Sequence, residues 1–208
     1  MVSVRLYVEG GGDSKEERIR CREAFSKLFA RAGFKGPMPK VDPGGGREQT
    51  FDRFKTAMRA SLDRAIPVLL VDSEAPVTQG AWEHLHDRDG WLRPDGATDE
   101  QAQLMVQCME TWCITDRTAL GAFFGQQLQE SALPSLHNLE DRSKDEVQQA
   151  LAHATRDCGR DRTYRKGRRS FRLVAQLDPG VLKQHLPHFT MLCALLDRLL
   201  TIPPERRR

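Results

Sequence analysis

No stretch of this 208-residue chain approaches the roughly 18 consecutive apolar residues that a membrane-spanning helix needs, so the sequence offers no candidate span. The first residues, Met1 to Glu9, lack the basic flank and apolar run of a secretory signal, and the sequence therefore predicts a cytoplasmic protein. Cysteine is sparse: Cys21, Cys108, Cys113, Cys158 and Cys193 are odd in number and contain no C-x-x-C pair, which excludes a zinc knuckle or a dithiol redox motif. They read as reduced thiols that fill the core. Only two tyrosines are present, and Tyr7 lies inside a hydrophobic run, so neither a tyrosine nucleophile nor an aromatic stacking platform is supported. No glycine-rich loop is followed by Lys-Ser or Lys-Thr at Walker spacing, which excludes a P-loop motor on this chain. There is no internal repeat and no heptad series.

What remains is a soluble globular composition. Hydrophobic residues make up 39% and glycine contributes 16 positions, together within the usual range for a packed domain. The formal charge of +3 conceals an asymmetry. Residues 156–172 carry eight basic and two acidic side chains, +6; residues 173–208 carry +2, which leaves −5 on the first 155. An acidic body joined to a basic C-terminal third points to a polyanionic partner.

The chain is punctuated as alternating strands and helices. Residues 2–8 read as a strand, and Ser14 with Glu17 has capping-box spacing for a helix to about Ala32. A short edge strand is expected at Met38–Val41, then a helix over 47–64 and a buried strand at 66–71, IPVLLV. Residues 75–100 form a long irregular insert or a short helix with a loop. Residues 103–109 read as a fourth strand, 111–124 as a helix, 143–154 as another and 189–200 as a last apolar one. This order predicts an α/β fold: a parallel, Rossmann-like sheet with covering helices, occupying residues 1–130, and a helical, basic C-terminal extension over 131–208 packed on it.

The strand reading places acidic residues at consistent positions. Glu9 follows the first strand, Asp72 and Glu74 the third, and Glu110 the fourth, so four carboxylates fall on the carboxyl edge of a parallel sheet, where ligands of open α/β folds bind. Like charges about 4 Å apart repel by roughly 4 kcal/mol at an effective dielectric of about 20, so such a cluster calls for cations. Hard oxygen donors favour Mg²⁺ or Mn²⁺, which can hold a phosphate and acidify a water. The chemistry implied is phosphoryl transfer or phosphodiester cleavage.

Two motifs sharpen this. LYVEG at 6–10 and LLVDSE at 69–74 resemble the signature motifs of TOPRIM domains, found in topoisomerases, primases and OLD-family nucleases. METWCITD at 109–116, SFRLVAQLDPGVL at 170–182 and PHFTMLCALLD at 187–197 are similar in order and spacing to a TOPRIM-like bacterial family, domain-of-unknown-function family 4276. That resemblance implies a metal-dependent nuclease, with Glu9 as general acid/base or metal ligand, Asp72 and Glu74 as the metal-binding pair, and Glu110 and Asp116 as a second acidic cluster. It also implies a role in anti-phage defence beside an ABC-type ATPase. Two departures stand out. The usual Asp-x-Asp is Asp72-x-Glu74 here, and the insert Gly10–Asp13 leaves Glu16 and Glu17 both open as the next acidic position.

Other residues complete the expected site. Gly44-Gly45-Gly46-Arg47 before a helix could present amides and a guanidinium to phosphate, although a plain flexible loop fits the same residues. Arg162, Arg165, Lys166, Arg168 and Arg169 would grip a nucleic-acid backbone, DNA ahead of RNA, with Lys166 doubling as a catalytic charge stabiliser; Tyr164 could stack on one base, although a lone aromatic does not make a stacking platform. His84 and His86 read as solvated loop histidines, and Trp82, Trp91 and Trp112 as interface candidates for a noncatalytic docking subunit, the rival reading.

Overall fold

In the computed structural model, residues 3–60, 65–159, 163, 164 and 168–201 are described. Four strands, β1 (Ser3–Glu9), β2 (Lys40–Gly45), β3 (Ala65–Asp72) and β4 (Ala102–Met105), form one all-parallel sheet in the order β2-β1-β3-β4. Helix α1 (Lys15–Ala30) joins β1 to β2, and α2 (Arg47–Arg59) carries the chain back across β1 to β3. Ser14 accepts the Glu17 amide at 3.1 Å, so the expected cap starts α1.

The period-two alternation of the strands sorts the core into two layers. Val4, Leu6, Val8, Val68 and Leu70 face α1, whose Phe25 and Phe29 are fully buried. Tyr7, Leu69 and Val71 face the other way, onto Phe51 and Phe54 of α2. The two crossover helices thus lie on opposite faces, and the point where the connection reverses lies between the carboxyl ends of β1 and β3.

The remaining elements are α3 (Ala81–Asp89), α4 (Met109–Thr115), α5 (Arg117–Phe124), α6 (Lys144–Thr155), α7 (Arg168–Val174), α8 (Pro179–His185) and α9 (Pro187–Thr201). Helices α4 to α9 add to the α1 layer: Trp112, Leu120, Leu151, Val174, Leu182 and Phe189 belong to the same apolar cluster as β1. None of the described helices is long and apolar enough to cross a membrane. All five cysteines are buried, and burial pushes the Cys21 thiol up to about 12 and Cys193 to about 11.

Several expectations change. The second strand is displaced toward the glycines, because Pro43 and Gly44 sit on an edge strand whose backbone pairs with β1. The fourth strand is shorter than 103–109: it ends at Met105, and α4 begins at Met109. The helix expected over 111–124 is two helices, divided at Asp116, whose carboxylate caps α5 through the Ala119 amide at 2.9 Å. The helix expected over 47–64 is described to Arg59, and residues 61–64 lie outside the described residues. The three tryptophans are not interface residues; Trp82, Trp91 and Trp112 are buried, with Trp91 stacked on Phe51 at 4.1 Å.

Candidate metal centre at the carboxyl edge of the sheet

The parallel register brings the ends of β1 and β3 side by side, with Val8 opposite Leu70. Glu9 closes β1, Asp72 closes β3, and Glu74 follows two residues later. One oxygen from each of these three carboxylates lies within 4.8 Å of the others. The pair Asp72 and Glu74 is held in place from several sides. The Asp72 amide donates to Glu9 Oε2 at 3.2 Å, and Asp72 Oδ1 accepts the Met109 amide, at the start of α4, at 2.9 Å. Between them, Ser73 N–H donates to the Met105 carbonyl at 3.0 Å, and the Ser73 carbonyl lies 2.8 Å from His84 Nε2. Glu74 has φ 65, a left-handed conformation that costs a non-glycine residue about 1–2 kcal/mol. Its amide compensates by donating to the Gln107 carbonyl at 2.8 Å.

Cations from three helices surround the acids. Arg47, the first residue of α2, forks onto Asp89 through Nε at 3.1 Å and Nη2 at 2.7 Å. Its Nη1 donates to Glu9 Oε2 at 3.2 Å and to the Asp72 carbonyl at 2.5 Å, and its guanidinium lies 5.0 Å from the Trp91 ring centre. Burial alone would lower the Arg47 pKa; the Asp89 hydrogen bond and the charges of Glu9, Asp89 and Glu74 outweigh it and hold the group above its ordinary value. Lys144, the first residue of α6, donates to Glu74 Oε1, and Arg88 Nη2 stands 3.8 Å from Glu74 Oε2. For Lys144, too, burial would lower the pKa, and the bond and charge of Glu74 raise it overall.

Beside the acids lies a cavity of 320 Å³ whose floor is glycine: Gly10, Gly11, Gly12, Gly45 and Gly46, with Glu9, Asp72 and Met109 on its walls. Gly10 and Gly45 exchange backbone hydrogen bonds of 2.9 and 3.0 Å, tying the two loops together. A side chain is barred here: Gly11 has φ +88 and an added Cβ would lie 2.9 Å from Arg18 Cα, while Gly45 has φ +90. Gly46 is the N-cap of α2 and offers no side chain to its first amides, so the positive end of the helix borders the cavity.

The donor set fits a hard divalent cation. Opposite ligands of an octahedral Mg²⁺ at about 2.1 Å are about 4.2 Å apart. At most one pair among three ligands can be opposite, and adjacent ligands lie about 3.0 Å apart, so oxygens within 4.8 Å of one another must close by up to roughly 2 Å around an ion, a distance that side-chain rotation covers.

Not every expected residue joins the site. Glu110 is wholly buried in the first turn of α4, where Oε1 accepts the Tyr164 hydroxyl at 2.6 Å and Oε2 has no hydrogen-bond partner among the described residues. Asp116 spends one oxygen on the Ala119 amide and the other on the Asp178 amide at 2.8 Å, joining α5 to the start of α8. Neither residue belongs to the carboxylate group of Glu9, Asp72 and Glu74. Tyr164 is not a stacking residue: it is 9% exposed, its phenol is pushed well up by burial and by the charges of Cys113 and Glu110, and it fastens its segment to α4. Arg169 donates to the Thr163 carbonyl. Arg168 begins α7, and Arg162, Arg165 and Lys166 lie outside the described residues. The histidines are helical rather than in a loop, and His84 is buried against Ser73.

Sequence reasoning missed Arg88, Asp89 and Lys144. A signal was available in helix electrostatics. Arg47 and Lys144 occupy the first positions of α2 and α6, and Asp89 the last of α3, each at the end of the helix dipole that disfavours its charge. Charges placed against three helix dipoles invite a search for partners, and here each finds one at the site.

A family model described as "Domain of unknown function (DUF4276)" matches residues 8–197. No curated protein and no solved structure matches the chain.

Proposed function

The chain belongs to this domain-of-unknown-function family, DUF4276, and from the site it carries we propose a TOPRIM-like nuclease that uses Mg²⁺ or Mn²⁺ to cleave phosphodiester bonds in nucleic acid. The observation that carries the proposal is the convergence of Glu9, Asp72 and Glu74 at the switch point of a parallel sheet, beside a glycine-floored cavity. These three carboxylates would hold the ion, which when bound supplies Lewis acidity toward a phosphate oxygen and toward a water. The chain supplies the rest. Met109 N–H orients Asp72, Arg47 orients Glu9, and His84 fixes the carbonyl between Asp72 and Glu74. Glu9 is placed to take or give a proton at the cavity wall. The glycine loops and the amides at the start of α2 offer donors to non-bridging phosphate oxygens, and the basic segment 156–172 would hold neighbouring phosphates. DNA is the favoured substrate. A cytoplasmic setting, a partner ABC-type ATPase and a role in anti-phage defence extend the same reading by resemblance.

Incubating the purified protein with DNA and with RNA in the presence of Mn²⁺ tests the proposal. The wild type is expected to nick or degrade one of them, and Glu9→Ala combined with Asp72→Ala should reduce the rate at least about 100-fold, as loss of a metal-binding pair does. Equal cleavage by both proteins would remove the site from the chemistry.

One observation favours a second reading, a noncatalytic subunit that docks on an ATPase or on nucleic acid: Arg47 and Lys144 already pair with Glu9 and Glu74, so the acids are neutralised within the chain. Cellular function that survives loss of all three acids would support that reading.

A further inference from the structure

Among the described residues, two cations hydrogen-bond to the acidic cluster, Arg47 and Lys144, and they are held very differently. Arg47 is anchored on three sides, by the fork onto Asp89, by Glu9 and the Asp72 carbonyl, and by the face of Trp91. A planar guanidinium with its donors so committed is a fixed part of the frame. Lys144 has one hydrogen-bond partner among the described residues, Glu74. Its ammonium is a compact charge on a four-carbon stem that can swing about its bonds, and it projects from the first position of α6, where the helix dipole disfavours a cation. The Lys144 and Glu74 side chains retain 21% and 18% exposure, so the pair opens toward solvent rather than into the core. A divalent ion arriving at Glu9, Asp72 and Glu74 meets two carboxylates steadied by backbone amides and Arg47, and a third held only by groups from α6 and α3.

We propose that Lys144 is the exchangeable cation of the site: it holds Glu74 until a divalent ion takes that carboxylate, and its released ammonium then binds a non-bridging oxygen of the substrate phosphate. The proposal rests on the metal-site reading above and deepens it, because it assigns the residue that gates metal entry and grips the phosphate. It separates Lys144 from Arg47, whose removal disorders the frame. It also gives a role to a lysine that neither the charge run at 156–172 nor the strand-end acids pointed to. Exchange of one cation for another keeps the site near neutrality in both states, so neither state carries an uncompensated buried charge.

Isothermal titration of Mn²⁺ into the full chain tests this with three variants. Lys144→Met keeps the stem and removes the charge; with no ammonium to displace, it is expected to bind Mn²⁺ about tenfold more tightly than wild type. Lys144→Arg retains the pair and should stay within about twofold of wild type. Thymidine 5′-monophosphate added to the Mn²⁺-loaded proteins should bind Lys144→Met about tenfold more weakly than wild type. Unchanged or weaker Mn²⁺ binding by Lys144→Met would overturn the exchange, and unchanged nucleotide binding would overturn the phosphate role. Titration of Glu9→Ala with Asp72→Ala separates this from the underlying reading: if that protein binds Mn²⁺ as wild type does, the metal site itself is wrong, and the proposal falls with it.

Discussion

Replacing Arg47 by alanine is expected to destabilise the protein by about 3–5 kcal/mol, the range for breaking a buried ion pair by removing one partner. The side chains of Arg47, Glu9 and Asp89 are 14%, 18% and 9% exposed. Without the guanidinium, Asp89 loses both of its forked bonds and retains its pair with Arg88, the Asp72 carbonyl loses a donor, and the Glu9 carboxylate loses the Arg47 charge beside Asp72 and Glu74. The Trp91 face also loses its cation. Urea or thermal unfolding of Arg47→Ala measures the loss. Mn²⁺ adds a second reading of the same variant: because a bound ion replaces part of the missing positive charge, its stabilising effect should be larger in Arg47→Ala than in wild type. Arg47→Lys should recover less than half of the loss, since an ammonium can neither fork onto Asp89 nor stack on Trp91. A loss below about 1 kcal/mol, the worth of an exposed pair, would mean that the network does not organise the site.

Truncating Trp112 to alanine is the second large effect, at about 3–5 kcal/mol. This ring, 1% exposed, meets Phe25 of α1 edge-on at 6.1 Å and Phe189 of α9 at 4.8 Å. It therefore stands where the helix that follows β1 meets α9, the last of the described helices, and its removal leaves a cavity that both must share. With typical stabilities of 5–15 kcal/mol, the variant would keep only part of its folding free energy. One apolar cluster takes in residues from Val4 to Leu200, and a second covers the other face of the same sheet, so unfolding of wild type followed by far-ultraviolet circular dichroism and by tryptophan fluorescence should give coincident single transitions. Two separated transitions, or a loss below about 1.5 kcal/mol in Trp112→Ala, would contradict a core shared across the chain.

The strands and helices of the first half were legible because their signals are local. The apolar alternation of β1, the continuous apolar run of β3, the Ser14 cap and the three-to-four spacing of Phe51 and Phe54 need no knowledge of the fold. Glu9, Asp72 and Glu74 were legible for the same reason, since a carboxylate at the end of a parallel strand is placed by the strand. The failures have physical causes as well. Gly44 and Gly45 resemble a loop, yet they extend β2 because Gly10 pairs with Gly45 across the strand ends, a contact between residues far apart in sequence. Glu110, expected directly after the fourth strand, lies instead in the first turn of a helix that starts four residues past the end of that strand and turns its side chain to Tyr164. Asp116 looked like a ligand and is a helix cap, the commonest fate of an aspartate at such a break. Lys144 and Asp89 reach the site across 70 and 42 residues to Glu74 and Arg47, distances over which sequence periodicity carries no information. The helices α7 and α8 were missed, although Asp178-Pro179 is a cap followed by proline at the first helical position.

The central claim, that Glu9, Asp72 and Glu74 form one divalent-metal site, is tested most directly by a crystal soaked in Mn²⁺ and measured for anomalous scattering. The account predicts a peak within about 2.4 Å of a carboxylate oxygen from each of the three residues, beside the cavity floored by Gly10–Gly12. A peak elsewhere in the molecule, with these carboxylates still paired to Arg47 and Lys144, would contradict it.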